Sequence, residues 1–281
     1  MFESFSEISA FCKQENVDFP DAVLLMETKD RDTSKEEVFS KMSFMWNAMV
    51  DSYNSYDPDL KSRSGLSGGN GALAEAWAQS GKAISGPYIS KVISVALKMG
   101  ESNACMKRIV ASPTAGSCGV IPAVLIPLFL EEKFSEKEIV KGLFVSAGIG
   151  SVIASKASIS GAEGGCQAEI GAASSMAAGT LVYLNGGSTE QIITAAGLAL
   201  KNLLGLVCDP VSGLVEVPCV KRNVIGAVNG VSAADMALAG IKSKIPSDEI
   251  VDAMKRVGNM MHPDLKETGR GGLAAFSLSK N

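Results

Sequence analysis

Three segments of this chain stand out, each a hydroxyl residue with Glu or Gln three positions later and a helix-patterned run after it. The three boxes are Thr33-Ser34-Lys35-Glu36, Ser135-Glu136-Lys137-Glu138 and Ser188-Thr189-Glu190-Gln191. In such a box the first hydroxyl takes the amide three residues on, and the acid or amide side chain reaches back, so it marks a helix start. The first box predicts a helix to about Tyr53, with Val38, Met42, Met45, Trp46 and Met49 recurring at helical spacing. The second predicts a helix to about Ser155. The third predicts one from Ile192 to Leu204, apolar nearly all round and therefore buried, and stopped by Gly205. Further helices are expected over Asp21–Glu27, Ala72–Gln79, Val120–Leu130, Ala172–Leu184 and Asn223–Ala239. Two more should run from Ser85-Gly86-Pro87 to Gly100 and from Ser247 to about Val257. Val215–Val217 is the nearest thing to a strand, and no fixed-period repeat or low-complexity linker appears. The expected fold is all-α: a single compact helical domain over residues 1–281, with residues 1–60 as a polar helical leader.

Charge narrows the function. A net charge of −4 leaves no basic excess for neutralising phosphates, so nucleic acid is not an expected partner. The start, Met1-Phe2-Glu3-Ser4-Phe5-Ser6-Glu7, has acids where a secretory leader carries Lys or Arg. The apolar stretches Val120–Leu130 and Gly142–Ser155 fall short of the about 18 residues that a membrane span needs. A cytoplasmic protein without a membrane partner is expected. There the six cysteines are not a disulfide framework.

The chemistry should lie between the helices. Ser64-Gly65-Leu66-Ser67-Gly68-Gly69-Asn70-Gly71 is too rich in glycine for a helix interior. It precedes a helix, where free amides favour a carboxylate or phosphate. A plain surface turn is the competing reading. Ser112-Pro113-Thr114-Ala115-Gly116-Ser117-Cys118-Gly119 is a second loop of this kind, and its apolar downstream side predicts that it is buried. Cys166 follows Gly161-Ala162-Glu163-Gly164-Gly165, Cys208 opens Cys208-Asp209-Pro210-Val211, and Cys219 closes Val217-Pro218-Cys219. Thiolates are soft ligands for zinc and iron–sulfur clusters. Free cysteine is also a common small core residue, and spacing without a C-x-x-C pair leaves both readings open.

Taken together, these segments resemble the alpha chain of the iron–sulfur-dependent L-serine dehydratases, from about Ser40 to the end. The resemblance implies a helical subunit in which Cys166, Cys208 and Cys219 hold a [4Fe-4S] cluster with one iron open to substrate. It gives Cys12, Cys105 and Cys118 no ligand role. It also implies a separate beta chain, because the beta module fused to some members is absent here, and an oligomeric enzyme. Three departures stand out: the missing module, Asn281 where some members end in cysteine, and Asn70 where Asp is more usual. The activity implied is conversion of L-serine to pyruvate and ammonia.

Within that picture Ser64, Gly65, Ser67, Gly68, Gly69 and Asn70 are the candidates for holding the substrate carboxylate. Thr114 and Ser117 are the candidates for orienting the amino acid or its leaving hydroxyl. The base is open among His262, Lys156, Glu163, Glu169 and a residue of the beta chain. The leader stripe Val38, Met42, Met45, Trp46 and Met49 and the rim of the first loop are expected to meet the beta chain. Three other readings remain: a related lyase such as a cysteine desulfidase, a pyridoxal-phosphate dehydratase, and a non-catalytic helical subunit with merely buried cysteines.

Overall fold

Ser135 and Ser188 cap their helices as the boxes predict, each hydroxyl accepting the amide three residues on while Glu138 or Gln191 returns to the cap's own amide. The first box is displaced by one residue. Ser34 is the cap, its oxygen accepting from the Glu37 amide at 3.1 Å, and Thr33 instead donates its hydroxyl to the Glu37 carboxylate. Thr33 and Ser34 are both good caps, so the pattern fits in either register.

The computed structural model describes residues 1–276. Among them are twelve α-helices: α1 Phe5–Glu15, α2 Phe19–Arg31, α3 Lys35–Asn54, α4 Asn70–Gln79, α5 Gly86–Ala104, α6 Val120–Leu130, α7 Glu136–Lys156, α8 Gly161–Gly164, α9 Ala172–Leu184, α10 Thr189–Asn202, α11 Cys219–Leu238 and α12 Ser247–Met260. The all-α expectation holds. Val215–Val217 is not a strand, and the one β-type contact among the described residues is an isolated bridge between Cys208 and Lys266. Asn281 lies outside the described residues.

α9 is the axis of the molecule. Alanine, serine and glycine make up most of its sequence, and α7, α10 and α11 pack around it. Small residues permit that crowding. A Cβ on Gly230 of α11 would stand 3.1 Å from the Ser174 carbonyl of α9. α7 is long and apolar enough to cross a bilayer by length and composition, beyond the Gly142–Ser155 stretch read from the sequence, but two thirds of its apolar window is buried against the rest of the chain. Such burial is what a core helix shows.

The leader belongs to the same core. Phe2, Phe5, Ile8, Phe19, Val38, Trp46 and Met49 are buried in one cluster with residues of α6, α7 and α9. The stripe expected to face a partner is therefore mostly spent internally, on core packing. Met42 and Met45 line an apolar groove between α2, α3 and α7, and Phe44 is exposed.

α5 runs past its expected stop. Gly100 lies inside the helix because it faces the backbone of Val220 on α11, where a Cβ would come within 3.2 Å. The extra turn carries Glu101 into the interior.

Candidate active site

Both hydroxyl loops are held by α5 and by the start of α11, and the three ligand-candidate cysteines gather at that same start. The cysteines come from the turn ahead of α9, the segment after α10 and the first residue of α11. Gln167 builds the first of these. Fully buried, it accepts from the Gly205 amide at 2.9 Å and donates to the Met254 carbonyl at 3.0 Å. The backbone there forms a π-helical turn over Gln167–Gly171, a distortion frequent at functional sites. Cys208 is pinned through its backbone, its amide donating to the Leu265 carbonyl at 2.8 Å and its carbonyl accepting from Glu267 at 2.9 Å.

All three cysteines are buried and free. The Cys166 and Cys208 sulfurs and a Glu169 carboxylate oxygen lie within 4.8 Å of one another. Cys166 and Cys208 share a hydrogen bond that lowers the first thiol from its usual range and raises the second, and the Arg222 guanidinium adds to the lowering of Cys166. Burial and the negative charge of Cys166 push the Cys219 thiol up to about 12. Arg222 in turn stands 2.8 Å from Asp209 Oδ1, an ion pair with little solvent exposure. Soft donors brought together this way, with a cation beside them, suit a thiolate-held cluster. The other three cysteines do not converge here. Cys118 is fully buried, its thiol pushed up to about 12 by burial and turned to the Met99 carbonyl at 3.7 Å. Cys12 and Cys105 belong to α1 and to the end of α5.

Each cysteine segment also carries an acid that seats another part of the chain. Glu169, one turn after Cys166, accepts the Thr114 hydroxyl at 2.7 Å. Asp209, next to Cys208, accepts the Leu273 amide at 2.8 Å. Glu216, three residues before Cys219, accepts the Ser62 and Ser64 hydroxyls at 2.6 and 2.8 Å. Close approach requires glycine at Gly161, where a Cβ would lie 2.8 Å from the Glu169 carboxylate and 3.2 Å from the Cys208 sulfur.

The Thr114–Ser117 loop is buried at Ser117, as expected. Thr114 and Ser117 hydrogen-bond to each other at 3.1 Å. Asn223 straps the loop to α11, its side-chain amide donating to the Gly116 carbonyl and its oxygen accepting from the Gly119 amide, both at 2.9 Å. Asn223 lies one turn beyond Cys219, so α11 positions a ligand candidate and this loop together.

The first loop holds a finding the sequence reading missed. Its amides do open a helix, α4, but the anion they receive is Glu101. The Gly68 and Asn70 amides and the Asn70 side chain donate to Glu101 Oε1 at 3.2, 2.8 and 2.8 Å. The Gly71 amide and the Tyr56 hydroxyl donate to Oε2 at 3.0 and 2.6 Å. Burial raises the Glu101 pKa, but these hydrogen bonds outweigh it, and the carboxyl is held below its ordinary value. An Asp at position 70 would face a carboxylate; Asn supplies a donor instead. Of the six loop candidates, Gly68 and Asn70 thus have their amides engaged. Ser64 donates to Glu216 and accepts the Leu66 amide at 3.1 Å. Gly65 gives its amide to the Ser62 carbonyl at 2.9 Å. Gly69, with φ +84°, makes the turn into α4. The Ser67 hydroxyl has no hydrogen-bond partner among the described residues, though Ser67 is 5% exposed. A phosphate finds these amides filled, which weighs against the pyridoxal-phosphate reading. An acid one turn beyond Leu97, on the buried stripe of α5, was the available sequence signal for Glu101.

Of the candidate bases, Glu169 alone is among the cysteines. His262 is 70% exposed and caps its own turn. Lys156 faces Asp248 and Asp252 at 3.7 and 3.8 Å, and Glu163 is exposed. Burial, only partly offset by the Thr114 bond, raises the Glu169 pKa.

Residues 14–274 match the family model described as serine dehydratase alpha chain. The chain is 45% identical to a probable L-serine dehydratase alpha chain of Bacillus subtilis, covering 98% of this chain and 92% of that one. It is 43% identical to the L-serine dehydratase alpha chain of Peptoniphilus asaccharolyticus, covering 98% and 94%. L-serine dehydratase 1 of Escherichia coli is 36% identical over 97% of this chain, which spans only 61% of that relative.

Proposed function

Because the chain belongs to the serine dehydratase alpha chain family, we propose that it is the alpha subunit of an L-serine ammonia-lyase yielding pyruvate and ammonia. The observation that carries the site assignment is the convergence of Cys166 and Cys208 with Glu169, beside a Cys219 thiol that feels the Cys166 charge. Cys166, Cys208 and Cys219 are the residues to hold a [4Fe-4S] cluster. Such a cluster, when bound with one iron free of cysteine, supplies a Lewis acid for expelling the serine hydroxyl.

The protein's own groups do the rest. Ser67 offers the uncommitted hydroxyl of the first loop to the substrate carboxylate, on a loop shaped by Gly65, Gly68, Gly69 and Asn70 and held by Ser64. Thr114 and Ser117 orient the amino acid, and Thr114 fixes Glu169 Oε1. Glu169, whose carboxylate lies beside the cysteines and whose other oxygen takes no hydrogen bond among the described residues, is the base of this reading, receiving the α-proton on Oε2. Closed surroundings strengthen these contacts, since water weakens charge interactions.

A separate beta chain completes the enzyme in this reading. The matched relatives named alpha chain are spanned almost whole, whereas the E. coli relative carries further sequence. Within residues 1–60, Met1, Phe44 and Met45 are the exposed large apolar side chains offered for docking. Six free cysteines suit the reducing cytoplasm. The test is anaerobic pyruvate formation from L-serine by the chain co-expressed with its beta chain. Activity with L-cysteine and none with L-serine would favour the desulfidase reading.

A further inference from the structure

Glu101 and Glu216 are buried carboxylates, 1% and 7% exposed, and neither belongs to the loop it holds. One lies on α5 and the other just ahead of α11. Between them they accept seven hydrogen bonds, which fix the loop from Ser62 to Gly71. Six of the seven donors belong to the loop and its entry into α4, and Tyr56 supplies the last. A buried carboxylate is costly without such partners, so the loop and the acids specify each other's position.

Glu216 does more than satisfy two hydroxyls. Its carbonyl accepts the Val220 amide at 3.0 Å, in the first turn of α11. The residue that grips the loop thus also starts the helix that begins at Cys219. Any slide of the loop relative to Cys219 must break the Ser62 and Ser64 bonds. Ser62 in turn accepts the Ser67 amide at 3.2 Å, which carries the constraint to Ser67.

We propose that Glu101 and Glu216 are positioning residues for serine dehydration, Glu101 setting the shape of the Ser62–Gly71 loop and Glu216 its distance from the Cys219 segment. The proposal rests on the reading above that this loop receives the substrate carboxylate. Small misplacements of a bound substrate cost much of a reaction's rate, so both saturation and turnover respond.

The two acids make opposite demands on an amide replacement. Both hydroxyls meet the same oxygen of Glu216, Oε2, and the carbonyl oxygen of a glutamine can accept both. Glu101 uses both of its oxygens, so a glutamine there must aim its NH2 at a donor in either orientation.

The experiment uses the alpha–beta enzyme, loaded anaerobically, and reads four quantities: iron content, melting temperature, kcat and KM for L-serine, and the serine concentration that half-saturates the change in the cluster's spectrum. Glu216→Ala should keep its iron, raise KM and the half-saturating serine roughly tenfold, as for lost hydrogen bonds to a charged group, and lower kcat. Glu216→Gln should recover most of both. Glu101→Gln should behave like Glu216→Ala, and if it fails to fold the Glu216 pair decides. Wild-type KM and kcat in Glu216→Ala at full iron content would overturn the proposal, as would a Glu216→Gln no better than Glu216→Ala. Ser67→Ala separates the two levels. A raised half-saturation there with none in Glu216→Ala sinks the positioning role alone. An unchanged half-saturation in Ser67→Ala removes the substrate loop itself, and the proposal with it.

Discussion

Ser64–Asn70 and Thr114–Ser117 are both short, glycine-bearing and rich in hydroxyls, yet they are anchored to different things. The first, with the flanking Ser62 and Gly71, gives three amides, the Asn70 side chain and the Ser62 and Ser64 hydroxyls to Glu101 and Glu216, neither of which is in the group of Cys166, Cys208 and Glu169. The second is tied to itself, to Asn223, and to Glu169, whose carboxylate stands within 4.8 Å of two cysteine sulfurs. Glycine and hydroxyl content alone therefore does not say what a loop binds. One loop is built around internal anions and offers substrate little more than Ser67. The other reaches the reacting centre directly. Damage to the first should show in stability and saturation as well as in turnover, and damage to the second in turnover alone.

The largest expected effect comes from the second loop's acid. Glu169→Gln in the cluster-loaded enzyme should lower kcat by roughly 100-fold or more, the range for loss of a proton-transfer group, with KM and iron content near wild type. A kcat within a factor of two of wild type would put the base elsewhere, in the beta chain. Next is Glu101→Gln. Losing a buried carboxylate with five donors should cost on the order of 3 kcal/mol of stability in urea titrations, while Glu169→Gln costs little, since burial already disfavours its charge. Equal losses in the two variants would erase the contrast between the loops.

Acid sharpens the same contrast. Glu101 is held below its unfolded value, so its contribution is present above that value and is lost as the pH falls through the lower, folded one. Wild-type melting temperature should fall on acidification below about pH 4, and more steeply than that of Glu101→Gln. Parallel curves would show that Glu101 is not the group responsible. The smallest effect belongs to the exposed histidine: His262→Asn should change kcat and stability within error, and a substantial loss of kcat would reopen the search for the base.

Helices were legible because their signals are local. Serine caps, apolar spacing and glycine stops gave nearly every element in the core, and the misses follow from contacts that a sequence window does not contain. Thr33 and Ser34 both satisfy a cap, and only the fold selects Ser34. Gly100 reads as a stop until α11 crosses it. The cysteines were legible through their flanking motifs taken together, not through spacing. Glu101, Glu216, Asn223 and Arg222 were not legible, because each acts across 13 residues or more of chain, as in the Arg222–Asp209 and Glu216–Ser62 contacts. A carboxylate at the spacing of a buried stripe, as Glu101 is after Leu97, is the one such residue a reader could have flagged.

Whether this chain holds a cluster through Cys166, Cys208 and Cys219 is read directly from iron and acid-labile sulfide after anaerobic reconstitution of single Cys→Ser variants. Close to four irons and four sulfides per chain, the composition of the cubane, are expected in wild type, Cys12→Ser and Cys105→Ser, with an absorbance that bleaches in air. Cys166→Ser, Cys208→Ser and Cys219→Ser, each leaving only two thiolates, should lose the stable cluster. Full iron and sulfide in any one of those three, or none in the wild-type chain, would remove these cysteines as the cluster's ligands.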